Sequence, residues 1–519
     1  MQIANTRAPM DRRTVTGVAL VLAALAIIVP VGWRFVGVAY HQLYFPFDLC
    51  FETPSLATIK VIKGGWNPYS PDVFNAMPFV LTMYTPLYHY LVAMLPIDAT
   101  NPFFYGRWVS LICVVACGLL LFLVHRRGQG QWWMACVLPF LLFSSWPLMA
   151  NAAFLKNDSL GLLFSAAAVA TLSFATKGRG LIAAGLCILA VASKQSFVAA
   201  PTACLCFLVL QDRREAVRFV AMLTGLMISG AIAATWVWGH GFWFSVIGAV
   251  RQPFDVETGL RIILQAARQP LLAAILLGSA AALVHACVRR GLRVNLRESP
   301  YAFYLFFAWS VMLLTIWKRG ASANYLFEFH LASVLWLSHW LRTEIEYRSP
   351  SYLLRFLLVV AGLTSFEIWV SRPAFYTFAT AARADAMAQR SEILQRATRQ
   401  TGVRNPKLLN LVTHVDAYLL SDQVYLNDPF LYGLLWEDDI LSPQPIALAI
   451  SRGAFDWIAV PPSFLEPGLL KDHEQLLRES LHHQYRFLAS FPSFGYAIFI
   501  RRDFGVEAVP ELERGFAHH

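Results

Sequence analysis

Two acids, Asp48 and Glu52, stand four residues apart in FPFDLCFETPSL, directly after an apolar run. On a helical turn that spacing puts both carboxylates on one face. Further ionisable side chains recur at the ends of later apolar runs. They are Arg107 in GRWVS, Lys156 and Asp158 in LKNDSL, Lys194 in VASKQSF, and Lys318 and Arg319 in WKRGASANY, followed by Asn324 and Glu328. Such groups are costly beside a bilayer and are kept there for pairing or for function. As a set they suit transfer of a group from a phosphate-linked donor. A carboxylate can take the proton of an attacking hydroxyl, while cations or a metal stabilise the departing phosphate. Asp48, Glu52 and Asp158 could together hold a divalent cation through oxygen ligands. The rings of Trp66, Tyr69, Tyr84 and Tyr88 suit sugar rings and polyprenyl chains.

Each residue also has a plainer reading. Asp48 or Glu52 alone fits a loop or a helix end. Lys194 and Lys318 could snorkel to lipid headgroups, and Asp158 could cap the helix it opens. His89 and the aromatics of Tyr84–Tyr90 fit an interfacial belt.

The elements that must position these side chains are membrane helices. The 519 residues are 57% apolar and only 14% charged, with mean hydropathy +0.51, whereas soluble domains carry about a quarter charged residues. Runs such as VTGVALVLAALAIIVPVG, VSLICVVACGLLLFLV and FYLFFAWSVMLLTIW approach the roughly 20 residues a span requires. The first run has no small-residue cleavage pattern and reads as a retained anchor. Seven of the eight cysteines lie in apolar runs, so no disulfide framework is implied.

The net charge of +10 is not spread evenly. Beyond residue 376 there are 13 basic and 17 acidic residues, which leaves 29 basic and 15 acidic in the membrane part. The excess sits in short clusters between spans, RAPMDRR, HRRG, TKGRG, DRREAVR, RRGLRVNLR and RTEIEYR, which fits cytoplasmic loops better than a nucleic-acid surface. Spans at about 15–38, 107–124, 132–150, 158–176, 180–194, 196–211, 217–238, 270–288, 301–317, 324–341 and 352–371 place every cluster inside. About eleven transmembrane helices result, with the N-terminus cytoplasmic and the C-terminus outside. MPFVLTMYTPLYHYLVAMLP (77–96) would invert every later loop if it crossed. With its prolines it reads as a re-entrant or surface helix within a long outer loop, 39–106. GLRIILQAARQP, in the loop 239–269, reads as an amphipathic surface helix.

Two domains follow, a transmembrane unit over 1–375 and a small extracytoplasmic α/β domain over 376–519. In the tail, 376–403 reads as helix and LLNLV, IALAI, DWIAV and YAIFI as short buried strands. The acids of WEDDI and the pair His482 and His483 read as surface decoration.

The order of motifs resembles the GT-C superfamily of polyprenyl-phosphate-sugar-dependent glycosyltransferases. Its members show an acidic motif after the first span, a Gly-x-x-Pro-Tyr-like turn, a Tyr-x-Pro-Leu segment and an Arg opening the next span. This chain has FDLCFE, GGWNPY, YTPLYHY and GRWVS in that order. LKNDSLGLLF is similar to the second acidic motif. ASKQS and KRGASANYLFE resemble later outer-face motifs of bacterial members related to protein mannosyltransferases and to the aminoarabinose transferase of lipid A. The resemblance covers about 15–371 and implies a GT-C-like fold in a bacterial inner membrane with its active site outside. It implies Asp48 as the acidic catalytic residue, with Glu52 as competitor because the spacing is one residue longer than in some relatives. It places Asp158 near the acid pair and Lys194 facing the donor phosphate. Lys318, Arg319, Asn324, Glu328 and Arg107 belong to the same donor-binding set. Some relatives carry a basic residue just before Pro-Pro-Leu, where this chain has Tyr84-Thr85, so a phosphate contact from this segment would require His89 to substitute. The implied partners are a polyprenyl-phosphate-linked sugar, a lipid, glycan or protein acceptor, and the bilayer. A transporter or flippase of a lipid-linked saccharide, and a non-catalytic scaffold working through its tail, are the competing classes. No internal repeat supports transport.

Overall fold

The structure, a computed structural model, describes residues 12–504 except 46–51, 70–76, 78, 99, 175–176, 292–295, 347–349, most of 371–405, 413–424, 466–470 and 492–495. Asp48 therefore lies outside the described residues, as does most of the helix expected over 376–403.

Helix α1 (Arg12–Tyr44) runs for 33 residues. At 1.5 Å per residue that is about 50 Å, well beyond the ~30 Å hydrocarbon core, so it projects past a bilayer. Two short helices, α2 (Thr53–Lys63) and α3 (Leu87–Ala93), lie in the first loop. The apolar bundle continues with α4 (Phe104–Arg127), α5 (Trp132–Phe143), α6 (Trp146–Asn151), α7 (Asp158–Phe174), α8 (Arg179–Ser193), α9 (Ala199–Gln211) and α10 (Arg213–Trp238). After the single turn α11 (His240–Trp243) come α12 (Val256–Ala267), α13 (Pro270–Arg290), α14 (Pro300–Thr315), α15 (Phe327–Trp340) and α16 (Pro350–Val370). A helix thus occupies each drawn span. Among the described residues four of them, in α1, α4, α10 and α13, are long and apolar enough to cross a membrane by length and composition. Large apolar side chains face outward along the bundle, among them Trp33, Trp236 and Leu277. In water such a surface would be a liability; in lipid it is the expected exterior. The chain is a polytopic helical membrane protein.

Local chemistry sets several boundaries. Asp212 caps α10 by accepting from the backbone N–H groups of Arg214 (2.9 Å) and Glu215 (3.3 Å), and Asp255 caps α12 in the same way. The drawn third span breaks at Ser144–Ser145 into α5 and α6, with Pro147 in the first turn of α6. The segment 77–96 is not one helix. Phe79 bridges Leu426 in extended conformation, and only Leu87–Ala93 is helical.

The tail forms a four-stranded sheet with helices packed on it. Strands β1 (Leu408–Asn410), β2 (Trp457–Val460), β3 (Tyr485–Phe491) and β4 (Tyr496–Arg501) are ordered β1-β2-β4-β3, with only β1 and β2 parallel. The helices are α17 (Pro429–Glu437), α18 (Gln444–Ser451) and α19 (Asp472–Gln484). IALAI, expected to be a strand, is the middle of α18. Pro443 and Pro445 start this helix, Ile446, Ala447 and Ile450 share its buried face, and Gly453 ends the segment at φ +67°. His482 and His483 are exposed. Glu437, in contrast, is paired with Arg319 at 2.5 Å and with Lys471.

The tail shares its core with the first loop. Ala57, Val61, Phe79 and Leu81 pack with Leu426, Leu435, Ile458 and Phe499 in one cluster. Asn427 fixes the joint. Its side chain accepts from Leu81 N (2.8 Å) and donates to Leu81 O (3.0 Å) and Thr58 Oγ1 (3.1 Å).

Candidate active site

The helices α7 and α8 run antiparallel and present opposite poles at one end of the bundle. Asp158 is the first residue of α7 and Lys194 follows the last residue of α8. An acid at a helix N-terminus and a base at a C-terminus both suit the helix dipoles. They also suit each other. Lys194 Nζ donates to Asp158 Oδ1 at 2.6 Å, with both side chains nearly buried. Asn324, from the 3₁₀ turn Ala323–Leu326 that precedes α15, donates to both oxygens of Asp158 at 3.2 and 3.3 Å. Ser322 Oγ holds Asn324 by donating to its Oδ1 at 2.7 Å. The Lys194 ammonium sits over the Tyr84 ring at 5.2 Å and the Tyr325 ring at 5.4 Å, a cation–π pair on either side.

The backbone around this cluster is pinned from several elements. Asn157 Nδ2 donates to Ser193 O (3.0 Å), Thr85 Oγ1 to Val191 O (2.8 Å) and Gln195 Nε2 to Met83 O (2.8 Å). Four expected residues, Asp158, Lys194, Asn324 and Tyr84, thereby meet in one place. Tyr325, Thr85 and Gln195 join them unannounced, although all three stand inside the quoted motifs. Asp428, at the start of α17 in the tail, lies within electrostatic reach of Tyr84. Burial pushes its carboxyl up to about 6.

A second cluster holds the root of the first loop. Arg107 and Glu52 are both fully buried and meet in a bidentate pair, Nε–Oε1 2.9 Å and Nη2–Oε2 2.5 Å. Leu155 N–H donates to the same carboxylate at 2.7 Å. Arg107 Nη1 also donates to Gln42 O at 2.7 Å and to Phe45 O. Beside the pair, Gly106 leaves room for the Leu155 side chain, because a Cβ there would stand 1.7 Å from Leu155 Cδ1. Arg107 therefore ties together α1, α2, α4 and the stretch before α7. It also holds both flanks of the segment that carries Asp48, Phe45 on one side and Glu52 on the other.

The remaining expected residues stand apart from the Lys194 cluster. Glu52, expected as a possible base, has both oxygens committed to Arg107 and Leu155. Arg107, expected on the donor, directs its guanidinium to Glu52 and to the carbonyls of Gln42 and Phe45. Arg319 is turned to Glu437 of the tail, and Glu328 accepts from Tyr304 Oη at 3.2 Å within the bundle. Lys318 is half-buried, and its backbone pairs with Phe254. His89 is buried in α3, where its Nδ1 has no partner among the described residues. Of the three carboxylates expected to hold a divalent cation, the two described ones each carry an organic cation. Among the described residues no group of three or more His, Cys, Asp or Glu gathers as a metal-holding set.

No protein-family model and no curated protein matches the chain. Solved structures do. ArnT from Cupriavidus metallidurans in the apo state superposes with a TM-score of 0.57 at 10% identity, covering 91% of this chain and 97% of that one. The same protein bound to undecaprenyl phosphate gives a TM-score of 0.52 at 12% identity, over 90% and 98%. The chain has the fold of ArnT. That likeness runs through the tail as well as the bundle, because so little of either chain is left uncovered.

Proposed function

We propose that this protein is a glycosyltransferase of the bacterial inner membrane. It moves a sugar from a polyprenyl-phosphate-linked donor to an acceptor hydroxyl of a lipid, glycan or protein, at the periplasmic face. The observation that carries this reading is the buried Asp158–Lys194–Asn324 cluster between two aromatic rings. It stands on a fold that in ArnT accommodates undecaprenyl phosphate.

In the proposed step the acceptor oxygen attacks the anomeric carbon with inversion. The bond from that carbon to the phosphate oxygen breaks, and its electron pair leaves on polyprenyl phosphate. The acceptor proton passes to Asp48. Two things favour Asp48 over Glu52: both Glu52 oxygens are already bound, which makes it a poor proton acceptor, and Arg107 secures both flanks of the Asp48 segment. Lys194 stabilises the charge that develops on the leaving phosphate, and Asp158 with Asn324 holds the ammonium in place. No step uses a metal.

The test is transfer of radiolabelled sugar in membranes carrying Asp48→Asn or Lys194→Met at wild-type protein levels. A missing general base is worth about 10²–10⁴ in rate, and a loss of that order is expected for Asp48→Asn. Near-normal transfer by Asp48→Asn would overturn the base assignment.

A further inference from the structure

The helices that carry the Lys194 cluster have another end. There, about 25 Å away along the 17 residues of α7, the ends of α4, α7, α8, α9, α14 and α15 surround a cavity of about 510 Å³. Among the described residues that line it are four arginines, Arg127, Arg179, Arg297 and Arg342, and one carboxylate, Glu298. A surplus of cations at this end is what orientation in a bilayer requires. Their convergence on one cavity is not.

Among the described residues, three of these arginines are held by carbonyls, rings or a histidine, and none by a carboxylate. Arg179 donates through Nη1 to Leu172 O at 3.3 Å and lies over the Phe207 ring, while its Nε is buried and has no hydrogen-bond partner among the described residues. Arg127 donates through Nη2 to Phe174 O at 3.3 Å and lies over the Phe174 ring. Arg342 packs across Gly128 and meets His339 Nδ1 at 3.1 Å. Among the described residues none of the four forms an ion pair, in contrast to Arg107, Lys194 and Arg319. A guanidinium has five N–H donors, so most of this donor set remains unfilled. Planar forks arranged in this way match the oxygens of phosphate.

We propose that this cavity binds a phosphate-bearing anion, entering either as the headgroup of an acidic lipid or as a free phosphate compound. Basic pockets between membrane helices hold acidic headgroups by the same chemistry. The site is independent of the sugar-transfer reading and stands or falls by binding alone.

The full-length protein in nanodiscs provides the test, with two arms. In one, native mass spectrometry compares retention of phosphatidylglycerol with that of phosphatidylcholine. In the other, inorganic pyrophosphate is titrated against thermal stability. Retention of phosphatidylglycerol identifies a lipid source, and stabilisation by pyrophosphate a soluble one. Arg179→Gln/Arg342→Gln should weaken whichever binding is seen by at least about tenfold, since each lost charge-assisted contact is worth about that factor. If that pair fails to fold, the exposed Arg127→Gln/Arg297→Gln pair decides, with the same expected direction. The proposal is overturned if wild type binds neither probe, or if the folded variants bind as wild type does.

Discussion

The two ends of the same helices treat charge in opposite ways. Where α7 begins and α8 ends, two buried acids each meet a buried cation within hydrogen-bond distance: Asp158 with Lys194, and Glu52 with Arg107. Where α7 ends and α8 begins, four arginines surround a cavity with one carboxylate among them. A buried pair fixes geometry and is costly to break, because either partner left alone is an uncompensated ion. An unpaired cation beside water has little to lose until an anion arrives. The first arrangement suits a site that must hold reacting groups still, and the second suits one that captures a ligand.

That contrast can be broken by substitution. The largest effect is expected at the root of the first loop. Glu52→Ala leaves Arg107 buried and unpaired and should destabilise the protein by about 3–5 kcal/mol, read as loss of folded protein on size-exclusion chromatography. Lys194→Met should be next. It strands Asp158, and the double variant Asp158→Asn/Lys194→Met should recover most of the lost thermal stability while transfer stays absent. If the double variant were no more stable than the single one, the pairing would not be what holds this end together.

The tail offers a pH-dependent case. Burial raises the Asp428 carboxyl to about 6, above its ordinary 3.8. Its contribution to stability is therefore full below pH 3.8 and is lost as pH rises through about 6. The melting midpoint of wild type should fall between about pH 4 and about pH 6 relative to Asp428→Asn, with at most about 3 kcal/mol involved. A parallel pH course in both proteins would count against it. The smallest effect is expected at Arg319→Gln. This pair with Glu437 is partly exposed, with Arg319 at 39%, and should be worth no more than about 1 kcal/mol in urea unfolding.

Much of the bundle was legible because lipid imposes a simple rule: each span must be apolar over its whole length, and irregular breaks are confined to polar ends. The motif residues at those ends were visible for the same reason. What sequence could not show was pairing. Asp158 and Lys194 are 36 positions apart, and Arg107 and Glu52 are 55 apart. Nothing local says that Asp158 meets a lysine while Glu52 meets an arginine. The tail was harder. IALAI is a five-residue apolar run that fits strand or helix, and flanking prolines and a glycine decided for helix. YRFLASF mixes polar and apolar residues and became β3 only by pairing with β4. The reach of Asn427 to Leu81, across 346 positions, has no trace in either segment.

The central claim, sugar transfer from a polyprenyl-phosphate donor at the Asp158–Lys194 end, is tested most directly by one assay. Purified protein is reconstituted with radiolabelled polyprenyl-phosphate sugars, and release of polyprenyl phosphate is followed for wild type and Asp48→Asn. Release by wild type that falls by about 10²-fold or more in Asp48→Asn is the predicted result. Release that is equal in the two proteins, or absent from wild type with every sugar offered, would contradict it.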